Sequence, residues 1–309
     1  MAGVHGPWVP NLFLVGAPRA GTTALYNSLA AHPAIYVPRE KEPQHLLFAD
    51  GHGRNLYAYR DARRVPAASV CSYTSHDAYK ALYTKCDGHQ YLLDGSTLYW
   101  VHDYAAASIA QLSPNARIVV VLRDPVARAL SHYQFNVGRG EEATDFHTAI
   151  QEELRGERRG WWLGGYVHAS RYDDRLLPFL RTFGASRVHI MQLQDVIQNP
   201  TAEFDRLASF LGLTNRFGPF IGSNEARAYR TPFASWLRRR AIDTKRWMPR
   251  LASNGYAVGA LRWLEHNYSV KPAAGEKHAL TLLRSTLMHP MRYSMSRSTE
   301  SNPLLDNHE

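Results

Sequence analysis

Leu12-Phe-Leu-Val-Gly-Ala-Pro-Arg-Ala-Gly-Thr-Thr-Ala-Leu25 is the stretch on which the fold of this chain turns. Leu12–Gly16 reads as a buried strand, the glycines and threonines as a tight turn, and Ala24–Ala31 as a helix. A strand that turns directly into a helix leaves the first N–H groups of that helix unpaired and partly positive, which suits a phosphate or another anion. Ala20 and Gly21 are small enough for an anion to approach the backbone, and Thr22 and Thr23 add hydroxyl donors. The Gly16-x4-Gly21 spacing mimics a Walker A loop, but Thr22 stands where that motif places lysine. The nearest cation is Arg19, inside the loop. This reads as an anion cradle with altered chemistry; the bland reading is a strand–helix turn with glycines for geometry alone.

Further along, Arg117-Ile-Val-Val-Val-Leu122 is β-branched and apolar on both faces, as a central parallel strand must be. Asp124-Pro125 behind it supplies an N-cap and a first-turn proline for a helix running to about Val137. Val188–Leu193 is a further strand and Pro200–Leu211 a helix. Strands alternating with helices predict an α/β fold: a central parallel sheet with helices on both faces. The expected organisation is a single domain over 1–309. Its core is about 11–213, loops and an irregular helical cap follow over about 214–293, and residues 294–309 form a polar tail.

The bulk numbers agree with this class. The 309 residues are 45% hydrophobic and 20% charged, which excludes wholesale disorder. Thirty-six Lys and Arg against 27 Asp and Glu give +9, favouring anionic partners without choosing among them. Cys71 and Cys86 provide neither a disulfide scaffold nor a metal-ligand spacing, and the 15 histidines show no HxH or HExxH pattern, so no metal site is expected. The run Asn11–Gly16 is too short to span a membrane and lacks the features of a signal peptide. The expectation is a cytoplasmic protein with no membrane span.

A second anion site is predicted at the end of the central strand. Arg123 should share a rim with the first loop, because ligands in open parallel sheets bind beyond the carboxyl ends of the strands. Ser131 follows eight residues later, about two helical turns on. A guanidinium and a hydroxyl suit a separate phosphate, although an Arg–carboxylate pair at the sheet edge would use the same residue.

With both motifs on the page, Phe13–Leu25 resembles the 5′-phosphosulfate loop of sulfotransferases that use 3′-phosphoadenosine-5′-phosphosulfate (PAPS). Val121-Leu-Arg-Asp-Pro-Val-Ala-Arg-Ala-Leu-Ser-His-Tyr133 resembles their 3′-phosphate motif. The two lie in the family's order, about 100 residues apart, and the likeness covers roughly 11–235, nearest to bacterial and heparan-sulfate-type members. It implies a P-loop-NTPase-like three-layer fold, PAPS as co-substrate, 3′-phosphoadenosine-5′-phosphate (PAP) as product, and no metal. It implies donor contacts at Arg19, Ala20, Gly21, Thr22, Thr23, Arg123 and Ser131, with Arg230, Asn224 and Arg227 as further candidates. Many relatives carry lysine at the position of Arg19. Arginine can stabilise charge on the leaving oxygen but cannot act as a proton donor.

The base is sought in Pro38-Arg-Glu-Lys-Glu-Pro-Gln-His-Leu-Leu-Phe48, which resembles the family's Lys-Glu-Pro-His-Phe-Phe segment. That likeness carries the base to Glu42, with Lys41 or Arg39 holding it ionised. Gln44 is inserted before His45, and His45 is the competing base because another branch of the family uses histidine. Leu93-Asp-Gly-Ser-Thr-Leu-Tyr99 resembles a rim segment that is often Glu-x-Ser-Pro-x-Tyr. Ser96 and Tyr99, with Lys41, are thereby candidates for acceptor contact, and ordinary strand-end packing is their competing reading. Thr97 replaces the proline, and Gly95 stands where heparan-type members place a lysine, which argues against a simple transfer of polysaccharide specificity. The expected partner is a hydroxyl-bearing carbohydrate or small molecule, with no nucleic acid; a homodimer through the segment after Lys271 is kept open. Two rivals remain at this stage. One is a nucleotide or small-molecule kinase with a degenerate P-loop, for which Asp94 is the tolerable magnesium ligand. The other is a basic, non-enzymatic module binding anionic polymer through 236–250.

Overall fold

The structure, a computed structural model, describes residues 8–60, 63–139, 141–161, 163, 165–214 and 217–218, with short pieces at 228–229, 269–270, 281 and 285–287. Arg230, Asn224, Arg227, the basic segment 236–250 and the tail 294–309 lie outside the described residues.

In chain order the strands are β1 (Leu12–Gly16), β2 (Ile35–Tyr36), β3 (Tyr57–Arg60), β4 (Arg63–Pro66), β5 (Tyr91–Asp94), β6 (Arg117–Leu122), β7 (Val188–Gln192), β8 (Ala228–Tyr229) and β9 (Ser269–Val270). The helices are α1 (Thr22–Ala30), α2 (His76–Lys80), α3 (Ala105–Leu112), α4 (Pro125–Arg139), α5 (Phe146–Leu154), α6 (Tyr172–Phe183), α7 (Leu193–Gln198) and α8 (Pro200–Leu211). The main sheet runs β2-β5-β1-β6-β7, parallel throughout. Phe13 pairs with Ile118 on one side and Asp94 on the other, so β1 is the middle strand. All five of its residues are buried, as are five of the six in β6. This two-sided burial explains their continuous apolar runs.

Helices cover both faces. On one, Trp100 stacks on Phe179 of α6 and meets Tyr172 edge-on, and its indole N–H donates to Ala169 O at 2.9 Å. On the other, Phe217 joins Phe204 of α8 to His32, just after α1, and Tyr91 of β5 donates to Leu211 O at 2.6 Å. The expected three layers are therefore present. The chain leaves β1 toward β2 and β5 on one side and reaches β6 and β7 on the other, so the crevice at the carboxyl end of β1 is the switch point where such sheets bind ligands. An antiparallel hairpin, β3–β4, lies outside the main sheet, and β8 pairs with β9 within the expected helical cap. Among the described residues no helix is long and apolar enough to cross a membrane.

Candidate active site

The loop between β1 and α1 builds the centre of the site. Gly21 caps α1 at φ 92°, a left-handed conformation that favours glycine, and no side chain caps the helix. Its first turn also carries no acidic residue. A helix start usually has a Ser, Asp or Asn acceptor. Without one, the opening N–H groups and the positive end of the dipole remain available to an external anion. Arg19 precedes it at φ 68°, and that left-handed turn aims its side chain across the crevice at α4. There Nε lies 3.4 Å from Ser131 Oγ and the guanidinium sits 4.5 Å over the Phe135 ring.

Arg123 ends β6 on the same rim. Its Nη1 lies 3.5 Å from Arg19 O, while Tyr172 Oη donates to Arg123 O at 2.7 Å. Asp124 accepts from Ala127 N at 2.7 Å, the cap expected for α4. Among the described residues no carboxylate forms an ion pair with Arg19 or Arg123. Burial first, then the nearby Arg123 charge, lowers the Arg19 pKa, and Glu42 opposes them. Two like charges beside an uncapped helix start form a site whose electrostatic demand is an anion.

Beneath the loop lies Arg128, fully buried. Nε donates to Ser170 Oγ (2.7 Å), Nη2 to Tyr166 O (2.6 Å) and Nη1 to Pro18 O (3.2 Å). His132 Nδ1 lies 3.3 Å from Nη1. Burial pushes Arg128 down to about 10, and burial with the Arg128 charge keeps His132 neutral, far below its ordinary value. The guanidinium fork thus ties Pro18 of the loop to the 166–170 segment. Its only sequence signal was an arginine in the first turn of α4.

Across the crevice stands Glu42. Oε1 accepts from Lys41 Nζ at 2.8 Å and Oε2 from Thr97 Oγ1 at 2.9 Å, with the side chain 29% exposed. Lys41 Nζ also lies 3.5 and 3.4 Å from the hydroxyls of Thr22 and Thr23 at the helix start. Lys41 is thereby placed between the anion cradle and Glu42. Thr97, noted only as a departure from the proline of the family pattern, turns out to hold the carboxylate. Arg19, Gly21, Thr22, Thr23, Lys41, Glu42, Arg123 and Ser131 all line one cleft of about 1700 Å³.

Four expected residues are placed elsewhere. Ala20 is fully buried and its N–H donates to Ala17 O at 3.1 Å, so that amide closes the turn instead of facing the cleft. His45 is turned inward: Gln44, at φ 57°, starts a short 3-10 turn that buries the imidazole against Tyr79, with Nδ1 2.7 Å from Tyr73 O. The left-handed Gln44 is where the chain turns and carries His45 into the core. Ser96 and Tyr99 are fully buried behind it. Ser96 Oγ accepts from Gln44 N at 2.9 Å, and Tyr99 Oη donates to Asp94 at 3.0 Å while accepting from Leu46 N at 3.3 Å. They brace the Glu42 loop and are out of an acceptor's reach.

Asp94 forms the heart of that brace. It is fully buried and accepts from Tyr79 Oη (2.7 Å), Tyr99 Oη (3.0 Å) and Ser96 N (2.9 Å). Burial raises its pKa, and the hydrogen bonds counter that. A carboxylate so engaged is not the magnesium ligand the kinase alternative needs. Gly95 donates to Lys41 O at 3.2 Å, and a Cβ there would lie 2.8 Å from the Tyr26 ring and 3.0 Å from that carbonyl. No lysine fits at this position without displacing the Glu42 loop.

Comparisons with known proteins show which family the chain belongs to. The model of the sulfotransferase family matches residues 10–216. Human carbohydrate sulfotransferase 15 is 25% identical over 276 residues, 75% of this chain and 48% of its own length. Mouse heparan sulfate glucosamine 3-O-sulfotransferase 3B1 is 24% identical over 213 residues, 69% of this chain and 48% of its own. The chain thus spans about half the length of these curated relatives. The crystal structure of a sulfotransferase from Alicyclobacillus acidocaldarius matches with a TM-score of 0.58 at 25% identity, covering 83% of this chain and 96% of that one. With two thirds of its length inside the family match and both anion motifs on one rim, this chain belongs to the sulfotransferase family.

Proposed function

We propose that the protein transfers a sulfuryl group from PAPS to a hydroxyl of a carbohydrate or small-molecule acceptor. The observation that carries the reading is the pairing of an uncapped helix start and two arginines, Arg19 and Arg123, that form no ion pair among the described residues, with a carboxylate, Glu42, across one cleft.

In this reading the donor's 5′-phosphosulfate lies on the N–H groups at Gly21–Thr23 and on the two threonine hydroxyls, and its 3′-phosphate lies between Arg123 and Ser131. Arg230 is a further proposed donor contact. The acceptor oxygen attacks sulfur in line, its proton passes to Glu42, and the bond from sulfur to the bridging phosphate oxygen breaks. Arg19 and the helix start stabilise the charge left on that oxygen, a task a fixed, desolvated cation performs without reorganising. Lys41 and Thr97 orient Glu42 through its two oxygens. The family members named above act on carbohydrate and heparan sulfate by their names, which supports a polyhydroxyl acceptor. The two cysteines, neither in a disulfide among the described residues, fit a cytoplasmic setting.

The test is direct: the purified protein is incubated with PAPS and a panel of sugars, phenols and aliphatic alcohols, and products are read by mass spectrometry. Gain of one sulfuryl group on a hydroxyl, with stoichiometric PAP, is the expected result. The same panel is run in parallel with ATP and magnesium in place of PAPS, and transfer of a phosphoryl group there, with none of sulfuryl from PAPS, would overturn the reading.

A further inference from the structure

The face of α4 toward the cleft carries Ser131, Phe135 and Arg139, spaced four residues apart and therefore stacked one turn above another. Ser131 Oγ lies within 3.4 Å of Arg19 Nε, and the Phe135 ring lies 4.5 Å beneath the same guanidinium. Arg139 approaches that ring at 5.5 Å and is itself held by Glu141 at 2.9 Å. Among the described residues Arg19 has no carboxylate partner that would fix its long side chain, so the hydroxyl and the ring are what define its direction. A planar guanidinium lies flat on an aromatic face, and its fork keeps donors free at the edge; a lysine ammonium is a point charge on a flexible stem and gains less from such a platform.

We infer that Phe135 is a positioning residue for Arg19: its ring holds the guanidinium in the cleft beside Ser131, and the arginine at position 19 and the phenylalanine at position 135 work as one unit. The inference rests on the sulfuryl-transfer reading and says how its charge-stabilising cation is kept in place.

The test is a double-mutant cycle read by PAP titration, with Phe135→Leu, Arg19→Lys and the pair. Phe135→Leu should weaken PAP binding about 3- to 10-fold, on the scale of a desolvated cation–π contact. Phe135→Tyr, which keeps the ring, should bind as wild type. In the Arg19→Lys background the leucine substitution should cost under twofold. Thermal melting of each variant separates a packing defect from a positioning one, and the Arg19 Nε–H proton, shifted upfield by the ring in wild type, should move downfield in Phe135→Leu without any nucleotide. Penalties that simply multiply, or a PAP affinity unchanged in Phe135→Leu, would overturn the inference while leaving the donor site intact. A raised acceptor KM with normal PAP binding would overturn it too, and would make Phe135 an acceptor contact. Failure of the wild type to bind PAP would sink the sulfuryl-transfer reading and this inference with it.

Discussion

Arg128→Lys isolates what the buried guanidinium does, because it keeps the charge and removes the fork. Arg128 reaches Ser170 Oγ, Tyr166 O and Pro18 O with three different nitrogens, at 2.7, 2.6 and 3.2 Å. One ammonium cannot occupy those three positions. The Ser170 hydroxyl, placed between Tyr166 O (2.9 Å) and Pro125 O (3.0 Å), can turn its one proton to Tyr166 O, so the plainest loss is at Pro18 O, whose residue is buried. Losing the donor to a buried acceptor costs about 1–3 kcal/mol, and a weakened contact at a second site brings the total to about 2–4 kcal/mol. The charge stays buried, so relief of desolvation does not offset this. For a domain of this size the expected drop in Tm is about 4–16 °C. Pro18 is also one residue from Arg19, so PAP affinity should fall at least tenfold once the loop loses its tether. Differential scanning fluorimetry with and without PAP reads both effects. A variant that melts within 2 °C of wild type and binds PAP equally would refute the reasoning, since the fork would then hold nothing that matters.

Three further outcomes follow from the same geometry. Glu42→Gln keeps the shape and can still accept from either Lys41 or Thr97, so PAP binding should survive while turnover falls about 10²–10⁴-fold; loss of PAP binding would show that the loop is structural instead. Gly95→Ala should cost about 1–3 kcal/mol by overpacking against Tyr26 and Lys41 O, and Gly95→Lys should gain no affinity for a sulfated polysaccharide; a stable, polysaccharide-binding lysine variant would contradict this. Stability should decline as pH falls below about 6.5. Burial and Arg206 lower His189 to about 4, and burial also lowers His132 and His168 from the ordinary 6.5. The unfolded chain therefore binds more protons than the folded one below 6.5, and His189 alone removes up to about 3 kcal/mol by pH 4. Asp94, raised by burial, works in the opposite direction. Urea midpoints at pH 7.5 and 5 should differ, and the difference should shrink in His189→Gln.

The strand–loop–helix around Gly21 and the Arg123–Ser131 helix were legible because each is a local device. Continuous burial, an abrupt turn and a capped helix start all leave their marks within a dozen residues. The brace behind the rim was not legible in the same way. Ser96 and Tyr99 sit two and five residues from Asp94, and a strand-end serine or tyrosine reads the same whether it faces the cleft or the core. Only the packing of Tyr79, from a separate helix, onto Asp94 decides which. His45 illustrates the effect of one left-handed residue: the chain turns at Gln44 and carries the ring into the core. Thr97 and Phe135 were missed because their partners, Glu42 and Arg19, are 55 and 116 residues away in a chain of this sequence. Long-range pairs of this kind carry no spacing signal.

The central claim is that this rim binds a nucleotide with two separated phosphate groups. Calorimetric titration of PAP against the same nucleotide lacking its 3′-phosphate, in buffer containing EDTA, tests it most directly. PAP should bind at least tenfold more tightly than the 3′-dephosphorylated nucleotide, and Arg123→Ala should erase that preference by removing a charge-assisted contact of about 1.5–3 kcal/mol. Equal affinities for the two nucleotides, or binding that appears only with magnesium and extends to ATP, would contradict the account.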